Sequence, residues 1–173
     1  MPRPSIQELE EYTRKRMKMG IAEVLDLQND FLLCDALYSR ILDKRGEDVL
    51  ISDLSRAEAT VVCLWNVGGI IRDGGFQYLF EANVQGIDSH VAVAERLKEI
   101  GCGNTTAAFY KALALFPDNQ PHLESSERIR HYRAVPRKTR HEIDRQFWDG
   151  SDELEQKLAG FIRQNRGEFM CLA

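Results

Sequence analysis

Seven cations crowd eighteen residues of this chain: Arg128, Arg130, Arg133, Arg137, Lys138, Arg140 and Arg145, opposed there only by Glu142 and Asp144. With Tyr132, His131 and His141 interleaved, such a stretch has the makings of a phosphate-binding or nucleic-acid-binding face. It has equally the makings of a solvated helix face laced with internal ion pairs. The opposite feature is Glu23, Asp26, Asp30 and Asp35, with no Lys or Arg between Met19 and Ser39. On one continuous helix the i, i+3, i+7 spacing of Glu23, Asp26 and Asp30 aligns three carboxylates along a stripe. Asp43, Glu47, Asp48 and Asp53 extend the acidic bias nearby. Such a stripe is either a plain solvated face or a partial imitation of a phosphate backbone.

Other chemistry is thin. His90, His122, His131 and His141 are dispersed, and none pairs at the i, i+4 spacing of a helical zinc site. Cys34, Cys63, Cys102 and Cys171 form no CxxC pair, so neither a zinc site nor a disulfide framework is expected. Cys34 and Cys63 sit in apolar helical patterns, where a thiol serves as a small hydrophobe. No arrangement of nucleophile, acid and base names a reaction, and no metal or cofactor is implied.

The most specific stretch is Asp73-Gly74-Gly75-Phe76-Gln77-Tyr78-Leu79-Phe80-Glu81-Ala82-Asn83, running on to Gly86. It follows a helical pattern and lacks both GxGxxG and a GK[ST] ending, so it is no phosphate loop. Its structural reading is a corner: Gly74 as a positive-φ helix stop, Gly75 permitting a close turn, and Phe76, Leu79 and Phe80 as anchors in the core. Gln77 and Asn83 then satisfy backbone groups or touch a partner. The competing reading is an unrecognised active site beside Gly74, Gly75 and Gln77.

The elements that must position these residues read as helices. Ser5 and Glu8 form a capping box for a first helix ending near Gly20, and apolar residues at three- and four-residue intervals predict a long second helix from Ile21 to about Lys44. Ser55 and Glu58 repeat the box before a third helix that should stop at Gly74. A short helix follows over Phe76, Leu79 and Phe80. Asp88 or Ser89 caps the next, Asn104 another ending at Pro117, and pieces flank Pro136. Val49-Leu50-Ile51 is the one β-like run, too short to make a sheet. The fold class is all-α, a single domain over 1–173 of about seven to nine helices, its N-terminal helix more loosely held.

At 173 residues with 43% hydrophobic and 29% charged side chains, the chain suits one core of ordinary globular composition. The longest apolar run is Val61 to Trp65, far short of the ~18 residues that cross a bilayer, and the polar start has no signal-peptide centre. No membrane association and a cytoplasmic location are expected. The net charge of −4 argues against nonspecific nucleic-acid binding over the whole surface.

The stretch from Arg72 to Asn83 with Gly86, then Leu97-Lys98-Glu99-Ile100-Gly101 and Ala112-Leu113-Ala114-Leu115-Phe116-Pro117, resembles the bacterial DNA-mimic protein family, long known as a domain of unknown function. The resemblance spans about residues 35–120. In that family an asparagine-rich pair usually precedes the glycines, where Arg72-Asp73 stands here, and the spacing after Asn83 also differs. The resemblance implies an all-helical, noncatalytic domain. It also implies a strongly acidic surface that takes the place of DNA on a helix-turn-helix regulator, and a homodimer as the candidate assembly. The expected partner is therefore a basic DNA-binding protein, with Glu23, Asp26, Asp30 and Asp35 as the candidate contact. Direct nucleic-acid binding through Arg128, Arg130, Arg133, Arg137, Lys138 and Arg140 is the alternative.

Overall fold

The computed structural model describes residues 4–16, 18–82, 84 and 89–172. Asn83, Gly86 and Asp88 lie outside the described residues. Among the described residues there are ten α-helices, three one-turn 3-10 segments and no strand. The Val49–Ile51 run makes no sheet; it leads into a 3-10 turn, Ile51–Asp53.

Helix α1 (Ile6–Arg16) starts at the expected box, Ser5 N–H donating to Glu8 Oε2 at 2.7 Å and Glu8 N–H to Ser5 Oγ at 3.3 Å. Two bonds tie it to the next long helix, as Tyr12 Oη (2.7 Å) and Arg16 Nη1 (3.0 Å) both donate to Asp35 Oδ2. The continuous helix expected from Ile21 to Lys44 is two helices, α2 (Ile21–Leu25) and α3 (Asp30–Arg45). Asn29 is the reason: its extended backbone interrupts the helix, and its side chain accepts from Leu32 N–H at 3.1 Å to start a new one.

Helix α4 (Arg56–Glu81) opens with the expected box and carries the core, with fifteen of its 26 residues buried. A helix apolar nearly all round must sit among others, and α4 packs against α3 and against α5 (His90–Glu99), α7 (Ser125–Ala134), α8 (Arg137–Asp149) and α9 (Ser151–Gln164). Contact with α9 is close at Gly68, where a Cβ would lie 2.9 Å from Leu154 Cδ2. Its opening carboxylate serves twice: Glu58 Oε2 accepts Ser55 N–H, while Oε1 takes Arg45 Nε and Nη2 at 3.2 and 3.0 Å. Two ion pairs then fasten the C-terminal helices, Arg72 to Glu155 on α9 and Arg163 of α9 to Asp30 of α3, both at 2.7 Å.

Ser89 caps α5, its Oγ accepting from Ala92 N–H at 3.0 Å. Helix α6 (Gly103–Leu113) begins ahead of the expected cap: buried Cys102 holds the N-cap position, and Asn104 gives its N–H to Glu153 Oε2. The chain closes with α10 (Arg166–Phe169) and a final 3-10 turn.

Candidate functional site

Helix α4 bends at the two glycines. Gly74 has φ −147° and ψ 17°, and Gly75 has φ 68° and ψ −171°. The left-handed residue is thus Gly75, not the Gly74 expected from sequence, and the chain re-enters a helix at once rather than stopping. The neighbour explains the assignment: a Cβ on Gly75 would lie 2.6 Å from Asp144 Oδ1, so α8 and the bend fit together only over a bare backbone. Tyr78, half exposed, lays its ring over Gly74.

Helical dihedrals aim each N–H at the carbonyl four residues back, so a bend creates backbone groups in need of other partners. Helix α8 supplies them. Phe76 N–H, first beyond the bend, donates to Asp144 Oδ1 at 2.9 Å, and Trp148 Nε1–H donates to Ile71 O, before the bend, at 2.9 Å. One turn earlier on the same face, Arg140 Nη1 donates to Gln77 Oε1 at 3.2 Å and its guanidinium lies over the Tyr132 ring. Residues 140, 144 and 148 thus form one i, i+4, i+8 stripe that reads the bend.

The far end of α4 is held by α7. Arg128 Nε and Nη2 donate to Phe80 O and Ala82 O, both at 2.9 Å, and its Nη1 donates to His122 O and Leu123 O. A buried cation here satisfies the unpaired carbonyls of a helix C-terminus and complements its dipole. Arg133 Nη2 bonds Glu81 Oε1 at 2.5 Å, and Gln77 Nε2 donates to the same oxygen at 3.0 Å. Beneath lies an aromatic cluster. Phe80, fully buried as expected, meets Phe116 at 4.8 Å, Tyr132 at 5.0 Å and His90 at 5.5 Å, and Phe76 meets Phe109 and Phe147 edge-on.

Electrostatics follow from this packing. Burial pushes the Asp144 carboxyl above the usual carboxylate range, opposed by the Phe76 amide and the Arg140 charge. Burial, with the Asp144 charge behind it, raises the Tyr132 phenol so that it stays neutral; its hydroxyl has no partner among the described residues. Burial and the Arg128 charge hold His90 down at about 4. The space before the Asp144 carboxylate is filled by the Gly75 backbone, which leaves no place there for a reacting molecule. Among the described residues no three His, Cys, Asp or Glu come together to hold a metal ion, and no helix is long and apolar enough to cross a membrane.

The basic segment is therefore no face of free cations. Arg128, Arg133 and Arg140 are turned onto α4, Arg130 pairs with Glu127 at 2.5 Å, and Arg137 Nε donates to His141 Nε2 at 3.0 Å. Of the six candidates, Lys138 alone has no partner among the described residues.

The acidic stripe is not a stripe either, because the break at Asn29 puts Asp30 on a different helix from Glu23. Glu23 Oε2 accepts Gly20 N–H at 2.7 Å, Asp26 pairs with Arg166 at 2.8 Å, Asp30 with Arg163, and Asp35 with Arg16. Further on, exposed and with no ion pair among the described residues like Asp73, Glu142 and Asp149 elsewhere, Asp43, Glu47 and Asp48 form a cluster of carboxylates. Beside them opens a cleft of about 420 Å³ between α3 and α4, lined by Tyr38, Leu42, Glu47, Val62, Asn66 and Ile70 among others.

Sequence reasoning passed over Asp144 and Trp148. The signal was present: an acid inside a cationic run, spaced i, i+4 between Arg140 and a tryptophan. Nothing in the sequence said that this face would meet the glycines.

A family model described as DMP19-like protein matches residues 52–165. The matched span starts later than the resemblance read from motifs and runs on through α7 and α8, so the cationic segment that clamps the bend falls inside it. No curated protein and no solved structure matches the chain.

Proposed function

Because the chain belongs to the DMP19-like family, we propose that it is a noncatalytic DNA mimic that offers carboxylates to the DNA-binding surface of a basic protein such as a transcription regulator. Asp43, Glu47 and Asp48 carry this reading: they are exposed, close in sequence and uncompensated among the described residues, whereas Asp26, Asp30 and Asp35 are held by arginines of the same chain. Duplex DNA presents about one charge per 1.7 Å of axis, and fixed carboxylates on a folded surface attract the same cations without base edges to read. Such a surface acts chiefly through steering and orientation, so association should be fast at low salt and fall steeply as salt rises.

The test is competition. The immobilised protein is expected to retain, from the heparin-binding fraction of a bacterial extract, a DNA-binding protein that its own duplex site displaces. A retained protein that binds duplex DNA and this chain together, with neither displacing the other, sinks the proposal.

A further inference from the structure

Helix α1 is the element least woven into the fold. Tyr12 is its only buried residue, and among the described residues α1 has none of the extended helix-on-helix packing that joins α3, α4 and α9. Ile6, the large apolar residue of its first turn, is 76% exposed and adds nothing to the attachment. The bonds that hold α1 converge on one carboxylate of α3. Tyr12 Oη and Arg16 Nη1 both donate to Asp35 Oδ2, and the Arg16 guanidinium stands 6.0 Å from the centre of the Tyr12 ring. A lone helix of 11 residues is marginal in water, so α1 depends on this contact. The chain is anchored afresh just beyond it, where Arg40 of α3 donates to Met19 O and Gly20 N–H donates to Glu23 Oε2. Losing the Asp35 bonds therefore frees α1 and leaves α2 and α3 in place.

The charge of α1 gives that looseness a use. Its last turn carries Arg14, Lys15 and Arg16, and Lys18 follows. A basic helix end thus lies on a carboxylate of α3, the same kind of contact that the acidic-surface reading assigns to a partner. Asp35 stands eight residues before Asp43 on α3, about 12 Å along the helix axis. Asp30 differs, because its partner Arg163 belongs to α9, which packs along α3 and α4 and cannot leave without unfolding them. We propose that α1 is an autoinhibitory strap: it occupies Asp35 in cis until a basic partner displaces it, and Asp35 then joins Asp43, Glu47 and Asp48 in the contact. The proposal rests on the reading above and adds regulation to the same surface. A tethered competitor acts at high effective concentration, so only a partner with several cations in reach displaces it. Apparent affinity is reduced in proportion to the fraction of molecules whose strap is open, and loosening α1 raises it. Both α1 and Asp35 precede the family-matched span.

The test uses the full chain and a fluorescein-labelled oligo-arginine peptide of about nine residues, with binding read by fluorescence anisotropy at low salt. Tyr12→Phe removes one bond to Asp35 without changing charge and should tighten binding about threefold; Arg16→Gln should tighten it about tenfold. Lys18→Gln removes the same charge outside the contact and should tighten it less than about twofold. Adding Asp35→Asn to either of the first two should erase the gain. Hydrogen exchange supplies a reading that needs no variant: the amides of α1 should exchange faster than those of α4, and saturating peptide should speed them further. Unchanged or slower α1 exchange on peptide binding overturns the strap, even if a variant misfolds. So does unchanged or weaker binding by Tyr12→Phe and Arg16→Gln, a gain that survives Asp35→Asn, or an equal gain from Lys18→Gln. Binding that falls in the triple variant Asp43→Asn, Glu47→Gln, Asp48→Asn but ignores α1 refutes the strap alone. A peptide that binds neither the unaltered protein nor any variant refutes the acidic-surface reading with it.

Discussion

Two charged regions of this molecule meet opposite fates. Along α7 and α8 most of the cations are engaged: Arg128, Arg133 and Arg140 all donate to α4, and Asp144, one turn beyond Arg140, holds the first amide past the Gly75 bend, so that Lys138 and Arg145 are left without a partner among the described residues. From Asp43 to Asp48 the carboxylates keep no ion pair among the described residues and border an open cleft. The denser charge run in the sequence is thus the less available one. Local net charge counts residues, whereas a binding surface counts those left over once helix ends and bends have been satisfied.

If the α4 corner is structural, damage there must appear in folding. Phe80→Ala removes the centre of the aromatic cluster and should cost about 3–5 kcal/mol by urea unfolding. Intact stability would return the cluster to the class of recognition surfaces. Arg128→Met should follow at about 3 kcal/mol, because it leaves several buried carbonyls unpaired at the C-terminus of α4. A loss under about 1 kcal/mol would free Arg128 for a binding role and blur the comparison.

The sequence made the all-helical class plain, because capping boxes at Ser5 and Ser55 and the three-to-four residue spacing are local signals, and both boxes form. It also marked Phe76 and Phe80 as buried. Three things were not legible. Asn29 reads as one more polar residue until its backbone is seen extended, and that one cap dissolves the expected acidic stripe. Gly74 and Gly75 are equivalent in sequence, and only the approach of Asp144 decides which takes positive φ. The cations of α7 and α8 could be assigned only once their partners on α4, some 46 to 63 residues away, were placed beside them.

His90 offers a smaller and reversible perturbation of the committed region. Its folded pKa is held down at about 4, against an ordinary value of 6.5, by burial and by Arg128. Between those values the unfolded chain takes up the proton and the native protein does not, so stability is lost as pH falls through that window. From pH 7.5 to 5 this linkage should remove about 2 kcal/mol, and His90→Gln should remove that part of the slope, by thermal unfolding at matched salt. A variant with the wild-type pH profile would show that His90 is not buried in this way.

The finest division runs within the acidic residues themselves, between Asp30 and Glu47. Asp30 is buried, starts α3 and accepts Arg163 Nη1 at 2.7 Å, so Asp30→Asn removes a charge that another charge was placed to meet. A cost of about 1–2 kcal/mol is expected, most of it from the uncompensated Arg163. Glu47 has no such partner among the described residues, and Glu47→Gln should leave the unfolding midpoint unchanged within about 0.5 kcal/mol. The two variants alter net charge equally, so a general field effect would move both alike. If both destabilise, Glu47 belongs to the fold and the acidic surface must be sought elsewhere. If neither does, the arginine pairs at the C-terminal end are incidental, and Asp26 and Asp30 regain a claim to a partner. Only the unequal result keeps the division between spent and unspent carboxylates on which the proposed contact depends.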